Sequence, residues 1–244
     1  MSQLTIKSLC VYLLVAVTAG AGLDAYLNLD DKFLGEICDP NDVDVVEFDA
    51  LGGSAARFHI TGAGNLRPQA MLVDESTGNV LFDIAATGQR LFVSAVDLPS
   101  TGRYVLSIAS ADGSTGDYEL KTVGRTNPKK LNFVDTQNVA SGGTGEVEFD
   151  ALAGYRLSAT FIPTGPGVRV DNARLDGPDG PVNLSGFITS FPDLIRIKEL
   201  PLGITSLASF KLSVDNIGAT GNVKTHVRLA PTLDRKTVVE DDCN

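Results

Sequence analysis

The hexapeptide VEFDAL occurs twice in this chain, at residues 46–51 and again at residues 147–152. The two copies are 101 residues apart (147 − 46 = 101), which is the length of an ordinary domain. Within each copy, apolar Val and Phe alternate with acidic Glu and Asp. This period-two pattern is typical of a half-buried β-strand that turns Val and Phe toward the interior and Glu and Asp toward solvent. The repetition therefore indicates a duplicated strand and not a catalytic site used twice.

Five further landmarks follow each hexapeptide in the same order. The first is a strand with apolar residues at every second position, and the second is a turn rich in Gly, Pro, Asp and Asn. A Leu-Pro pair comes third, at Leu98-Pro99 and at Leu200-Pro201. A fresh alternating strand and a glycine-rich connection, which begins at Gly113 or Gly218, close each copy. Shared landmarks in a shared order indicate a tandem duplication.

The composition favours an all-β fold. The chain contains 25 glycines and 11 prolines, and no segment shows the periodicity of a long helix. Short strands separated by frequent turns are typical of an antiparallel β-sandwich. We therefore predict two tandem antiparallel β-sandwich domains of jelly-roll-like form. The predicted boundaries are 1–21 for a signal peptide, 38–124 for repeat 1, 125–140 for a linker, 141–231 for repeat 2 and 232–244 for a C-terminal tail.

The N-terminus has the pattern of a secretory signal peptide. One cation, Lys7, precedes an apolar run from Leu9 to Val17, and the small residues Ala19-Gly20-Ala21 follow. The run is shorter than the roughly 20 residues that span a membrane. We predict removal of residues 1–21, a secreted or periplasmic (cell-envelope) location, and no membrane span after cleavage. The alternative is an uncleaved N-terminal anchor.

Cleavage would remove Cys10 and leave Cys38 and Cys243. Two cysteines in an exported chain predict a disulfide between them. This bridge would close a loop of nearly the whole mature chain, for which chain entropy contributes roughly 4–5 kcal/mol. The alternative is two separate thiols near the chain ends.

The charge limits the classes of partner. A net charge of −10 makes nucleic acid a poor partner, because binding it requires a basic surface. Lys224, His226 and Arg228 form a short basic stripe, which the alternation places on a solvated strand face; contact with an anionic glycan or an acidic patch is the alternative. The partner is therefore predicted to be a cell-surface, glycan or protein ligand of unspecified identity.

Catalytic motifs are missing from the sequence. The two histidines, His59 and His226, both fall on the polar side of alternating strands, where solvated surface residues are expected. The chain has no G-x-S-x-G, H-E-x-x-H or C-x-x-C motif, and no glycine-rich nucleotide fingerprint. We predict that the protein is not an enzyme and has no catalytic or cofactor-binding residues.

One cluster has the character of a metal site. Asp39, Asn41, Asp42 and Asp44 place four oxygen-bearing side chains within six residues, and calcium takes six to eight oxygen ligands. They form a candidate calcium site, although the spacing of a calcium-binding loop is missing. The alternative is a turn in which Asp and Asn bond to the nearby backbone.

Residues 42–48 (DVDVVEF) and 98–123 (LPSTGRYVLSIASADGSTGDYELKTV) resemble the bacterial pre-peptidase C-terminal domain family. The second copy departs from the pattern, because Phe210 and Val223 replace two tyrosines and Gly145 replaces an aspartate. The resemblance implies compact β-sandwiches that accompany secreted hydrolases without being catalytic. Some members bind calcium or help to attach the enzyme to its substrate.

Together these features predict an exported, non-catalytic binding, adhesion or accessory module at the cell envelope or outside the cell. Loops at the sandwich ends are the expected recognition surface. One alternative is a structural, self-assembling component of a surface layer or matrix. Another is a secreted hydrolase accessory or an enzyme.

Overall fold

The computed structural model describes residues 25–191, 193–232 and 236–239, which form two compact units. Unit 1 contains residues 25–125 and 236–239, and unit 2 contains the rest. Almost every regular element is a β-strand, so the prediction of an all-β fold is confirmed. The predicted signal peptide lies outside the described residues. Within the described ranges, no helix has the length and apolarity needed to cross a membrane.

Unit 1 is a sandwich of two five-stranded sheets with jelly-roll topology. Its strands are β1 (Ala25–Leu27), β2 (Lys32–Ile37), β3 (Val43–Ala50), β4 (Ser54–Gly62), β5 (Pro68–Asp74), β6 (Asn79–Ala85), β7 (Arg90–Leu98), β8 (Gly102–Ser110), β9 (Gly116–Arg125) and β19 (Thr237–Val239). One sheet has the order β1-β3-β8-β5-β6 and the other β19-β2-β9-β4-β7. The antiparallel pairs β2/β9, β3/β8, β4/β7 and β5/β6 are nested, which is the strand pairing of a jelly roll.

Unit 2 repeats this topology. Its elements are helix α1 (Pro128–Leu131) and strands β10 (Asn132–Val139), β11 (Thr144–Ala151), β12 (Tyr155–Thr164), β13 (Val170–Gly177), β14 (Gly180–Pro181), β15 (Ile188–Phe191), β16 (Leu194–Pro201), β17 (Ala208–Asn216) and β18 (Gly221–Pro231). The sheets have the orders β10-β18-β12-β16-β15 and β11-β17-β13-β14. Strands β10, β11, β17 and β18 thus take the places that β2, β3, β8 and β9 occupy in unit 1.

The VEFDAL strand makes the same core contact in both units. Phe48 lies opposite Tyr104, and their rings stack with centroids 5.6 Å apart and an interplanar angle of 14°. Phe149 and Phe210 stack with the same distance and angle. All four rings are buried, and offset stacking adds about 0.5–1.5 kcal/mol beyond area burial. The prediction that the hexapeptide turns its Phe toward the interior is confirmed.

The repeats extend beyond the predicted boundaries. Strands β1 and β2 precede residue 38, and β19 lies in the segment expected to be a tail. The expected linker contains α1, which begins after Asn127, and β10, which belongs to the sheet of unit 2. These segments escaped prediction because polar residues occupy inward positions of β10, and because β1 and β19 are too short to show a periodicity.

Candidate functional site

A buried pair of polar side chains closes one side of unit 1. Asp44 lies two residues before Val46 on the core face of β3, and only 3% of its surface is exposed. The Tyr118 hydroxyl on β9 donates a hydrogen bond of 2.6 Å to Asp44 Oδ2. Gly35 lies opposite Tyr118, and a Cβ at that position would come within 2.7 Å of the Tyr118 hydroxyl. The ring therefore fits because residue 35 has no side chain.

The four candidate calcium ligands do not converge. Asp39 Oδ1 accepts a 2.7 Å hydrogen bond from the Asn41 amide, and Asp42 Oδ2 accepts one of 2.7 Å from the Cys38 amide. Asp44 instead points inward to Tyr118. Within the described part of the chain, no group of three or more His, Cys, Asp or Glu side chains is arranged to hold a metal ion. The contacts made by Asp39 and Asp42 correspond to the alternative of a locally bonded turn.

Unit 2 lacks both members of the buried pair. Gly145 lies two residues before Val147, where unit 1 has Asp44, and Val223 takes the position of Tyr118. Opposite Val223 lies Gln137, which replaces Gly35. Two residues earlier, Asp135 stands where unit 1 has the fully buried Phe33. Four substitutions at neighbouring positions therefore replace the buried Phe33 ring and the Asp44–Tyr118 pair of unit 1 by smaller side chains and by the polar Asp135 and Gln137.

These substitutions leave an open groove between β10 and β11, with a volume of about 510 Å³. Ligand pockets typically have volumes of about 300–1,000 Å³. The wall on β10 consists of residues 133–135 and Gln137, and the wall on β11 consists of residues 146–148. Gln137 holds the walls together: its Nε2 donates to Asp135 Oδ2 at 2.7 Å and to the Glu146 carbonyl, and its Oε1 accepts from the Glu146 amide at 2.9 Å.

The edge strands of the two units also differ. In unit 1, β1 pairs in parallel with β3, with Ala25 opposite Val46 and Leu27 opposite Phe48. Strand β19 likewise pairs in parallel with β2. In unit 2, β11 and β10 are terminal strands of their sheets, and no described strand pairs with their outer sides. An uncovered strand presents backbone N–H and C=O groups that can pair with another chain.

Tyr26, on the strand that covers the edge of β3, contacts two charged residues of unit 1. The Tyr26 hydroxyl donates a 2.6 Å hydrogen bond to Asp49 Oδ2, and the Arg103 guanidinium lies 5.7 Å from the centre of the Tyr26 ring. Arg103 also pairs with Glu47 at 2.9 Å. Burial of the hydroxyl raises the pKa of Tyr26, and the hydrogen bond to Asp49 raises it further. Tyr26 covers Asp49, which is only 8% exposed. The expectation that both acids of the first hexapeptide face solvent is therefore wrong for Asp49.

The groove of unit 2 has an acidic rim. Asp135, Glu146 and Glu148 lie along its walls, and the two glutamates are exposed. Lys211 on β17 pairs with Glu146 at 3.0 Å, and this hydrogen bond raises the pKa of Lys211. One cation among three carboxylates leaves the rim negative, so it favours cationic groups on a ligand.

The groove was not predicted from the sequence. Its β10 wall falls in the segment assigned to the linker. One signal was present: Phe133 and Val139 are six positions apart, so both fall on one face of a strand, together with Asp135 and Gln137. Asp135 and Gln137 interrupt the apolar pattern of that face, so the strand was not predicted. The same two residues line the groove.

The other residues singled out in the sequence lie away from this groove. His59 is half-buried on β4 and packs edge-on against Phe92, with ring centres 5.8 Å apart. Lys224 and His226 are half-buried and Arg228 is exposed, and all three alternate with the buried residues of β18. The predicted Cys38–Cys243 disulfide stays a prediction, because Cys243 lies outside the described residues.

Comparisons with known proteins show distant likenesses. No family model matches the chain, and no curated protein matches it. The pre-peptidase C-terminal domain of a Bacillus anthracis collagenase is 19% identical, with 42% of this chain and 98% of that chain covered and a TM-score of 0.37. A periplasmic inhibitor of g-type lysozyme from Salmonella Typhimurium is 17% identical, with 43% and 100% covered and a TM-score of 0.33. A putative secreted protein from Eubacterium rectale is 14% identical, with 82% and 74% covered and a TM-score of 0.24. At these identities and TM-scores, membership of the pre-peptidase C-terminal family stays a prediction.

Proposed function

We propose that the protein is an exported, non-catalytic binding module whose ligand site is the groove between β10 and β11 of unit 2. One observation carries the proposal: unit 1 fills this place with Phe33, Tyr118 and a parallel strand, whereas unit 2 leaves it open and polar. The two units share the scaffold and differ on this side. This site replaces the loops at the sandwich ends as the favoured recognition surface.

The absence of catalysis is part of the proposal. Among the described residues that line it, the groove contains carboxylates and an amide but no histidine, cysteine or serine, so these residues offer no nucleophile paired with a base. Asp135 and Glu146 are held by Gln137, through a side-chain contact and through the backbone. Export is supported by the signal-like pattern of residues 1–21.

A paired set of variants tests the site. Asp135→Phe places the residue of unit 1 into the groove, whereas Thr136→Phe adds the same ring to the exposed, opposite face of β10. Each variant is immobilised, and retention of components from the cell-envelope extract of the source organism is quantified. We expect Asp135→Phe to reduce specific retention about ten-fold, because it removes a carboxylate of the groove and fills part of the groove's volume. Equal retention by the two variants and the unaltered chain would contradict the proposed site.

A structural, self-assembling role is the second candidate, and the uncovered edges of β10 and β11 favour it. Sedimentation velocity over a hundred-fold range of protein concentration distinguishes the two functions. Assembly through these edges predicts a sedimentation coefficient that rises with concentration. A constant monomer value favours a binding module.

A further inference from the structure

We propose that the groove of unit 2 binds an extended segment of another protein, which adds to β11 as a short parallel strand. The segment carries a small residue, a tyrosine and an aliphatic residue in succession, with basic residues on either side. This inference deepens the proposed function and rests on it.

The template for this complex lies in unit 1. There, Ala25, Tyr26 and Leu27 pair in parallel with Val46, Glu47 and Phe48. The receiving strand in unit 2 has the identical sequence, with Val147, Glu148 and Phe149 at the same positions. Its outer side forms one wall of the groove and pairs with no described strand. Strand addition of this kind gains affinity from backbone hydrogen bonds and specificity from alternate side chains.

The side-chain requirements follow from the same template. Ala25 and Leu27 are buried, at 6% and 0% exposure, so the first and third residues of the segment turn inward. Tyr26 turns outward and donates its hydroxyl proton to Asp49. Asp150 occupies the position of Asp49 in the second hexapeptide, and the Ser209 hydroxyl of the neighbouring strand donates to it at 2.6 Å. A carboxylate acceptor for a tyrosine is therefore present in unit 2.

Charge decides between another protein and a second copy of this chain. The rim of the groove carries Asp135, Glu146 and Glu148. The chain's own Ala-Tyr-Leu segment is flanked by Asp24 and Asp30, which the acidic rim would repel. In unit 1 the positions of Asp135 and Glu146 are held by Phe33 and Val45, so this repulsion is missing there. The groove consequently favours a basic segment from a different protein.

Synthetic peptides test the proposal on the full chain. The probe is Ala-Tyr-Leu with two lysines on each side, and the reference has two aspartates on each side. Binding is followed by fluorescence anisotropy of a labelled peptide. We expect the basic probe to bind with a Kd below about 1 mM and about ten-fold more tightly than the acidic reference at low salt. This preference should shrink at about 1 M salt, where the screening length is about 3 Å.

Two further measurements identify the binding mode. Replacing the probe's tyrosine by phenylalanine should weaken binding about five-fold to the unaltered chain, but not to Asp150→Ala, because the hydroxyl then has no carboxylate partner. Hydrogen exchange of the Glu148 amide should slow when the probe binds. Like the amide of Glu146, it points away from β17 and toward the added strand. Equal exchange with and without bound probe would overturn the strand-addition mode.

The inference and the proposed function fail in different ways. If neither peptide binds, or both bind equally, while Asp135→Phe still abolishes retention of an envelope component, the groove is a site for another ligand and the inference is overturned. If Asp135→Phe changes neither peptide binding nor retention, the proposed function fails as well. A probe that drives two copies of the chain together would also overturn the inference, because strand addition to β11 predicts one peptide per chain.

Discussion

The buried hydrogen bond between Tyr118 and Asp44 should be a principal determinant of the stability of unit 1. The change Tyr118→Phe removes only the hydroxyl that donates to Asp44 Oδ2 at 2.6 Å and leaves the aromatic ring in place. Removing one hydrogen bond from a buried polar pair costs about 1–3 kcal/mol. We therefore expect the free energy of unfolding of unit 1 to fall by about 2 kcal/mol.

Urea unfolding followed by tyrosine fluorescence measures this change, because Tyr26 and Tyr104 remain in unit 1 as reporters. With a slope of about 2 kcal/mol per molar urea, the midpoint should fall by about 1 M. The matched control is Tyr155→Phe in unit 2, whose hydroxyl lies 3.1 Å from the neutral Thr126 hydroxyl. Because Tyr155 is the one tyrosine in the sequence of unit 2, urea unfolding of this variant is followed by circular dichroism. Its cost should stay near 1 kcal/mol.

A double-mutant cycle isolates the hydrogen bond from other effects of the substitution. Asp44→Asn and Tyr118→Phe are measured singly and together, and direct contact predicts a coupling energy of about 1–2 kcal/mol. If the two costs add within about 0.5 kcal/mol, the hydrogen bond does not couple the two residues and the reasoning is refuted.

Three further outcomes follow from the described contacts. Tyr104→Phe should cost unit 1 about 1–3 kcal/mol in urea unfolding, because the buried hydroxyl donates to the Ser100 carbonyl at 2.7 Å and accepts from its amide at 3.0 Å; a cost below about 0.5 kcal/mol would contradict this role. The two hydrogen bonds from Arg174, at 2.7 and 2.8 Å, lower the pKa of Asp215 to about 2. The contribution of Asp215 to the stability of unit 2 is therefore complete above the unfolded pKa of 3.8 and is lost as the pH falls toward 2. Arg174→Met should flatten this acid dependence in thermal melts, and an unchanged profile would disprove the assignment. Calcium at millimolar concentration should leave the melting temperature equal to that measured with a chelator, since the Asp39 and Asp42 carboxylates accept local backbone amides and Asp44 is turned inward; a rise with calcium would restore the metal site.

The contacts in unit 1 explain why two sequence differences between the copies occur together. In the sequence, Gly145 and Val223 are two unrelated departures from the pattern of copy 1. In unit 1 the residues at those positions, Asp44 and Tyr118, are hydrogen-bonded across 74 residues of chain. Loss of one partner would leave the other buried without its bond, and replacing both by smaller or apolar groups removes that cost. The two substitutions in unit 2 are therefore one structural change.

The sequence by itself determined the strand pattern, the duplication and the fold class. The alternation in VEFDAL depends only on the two-residue period of a strand, so the burial of Phe48 and Phe149 was predictable from neighbours in sequence. Tertiary structure decided which edges are covered and where the groove lies. Pairing of Ala25–Leu27 with the first hexapeptide, and the open edge at the second, depend on long-range contacts that no local period encodes. Two identical hexapeptides thus have different surroundings, because a strand's sequence sets which side chains turn inward but the rest of the chain sets what lies beside it.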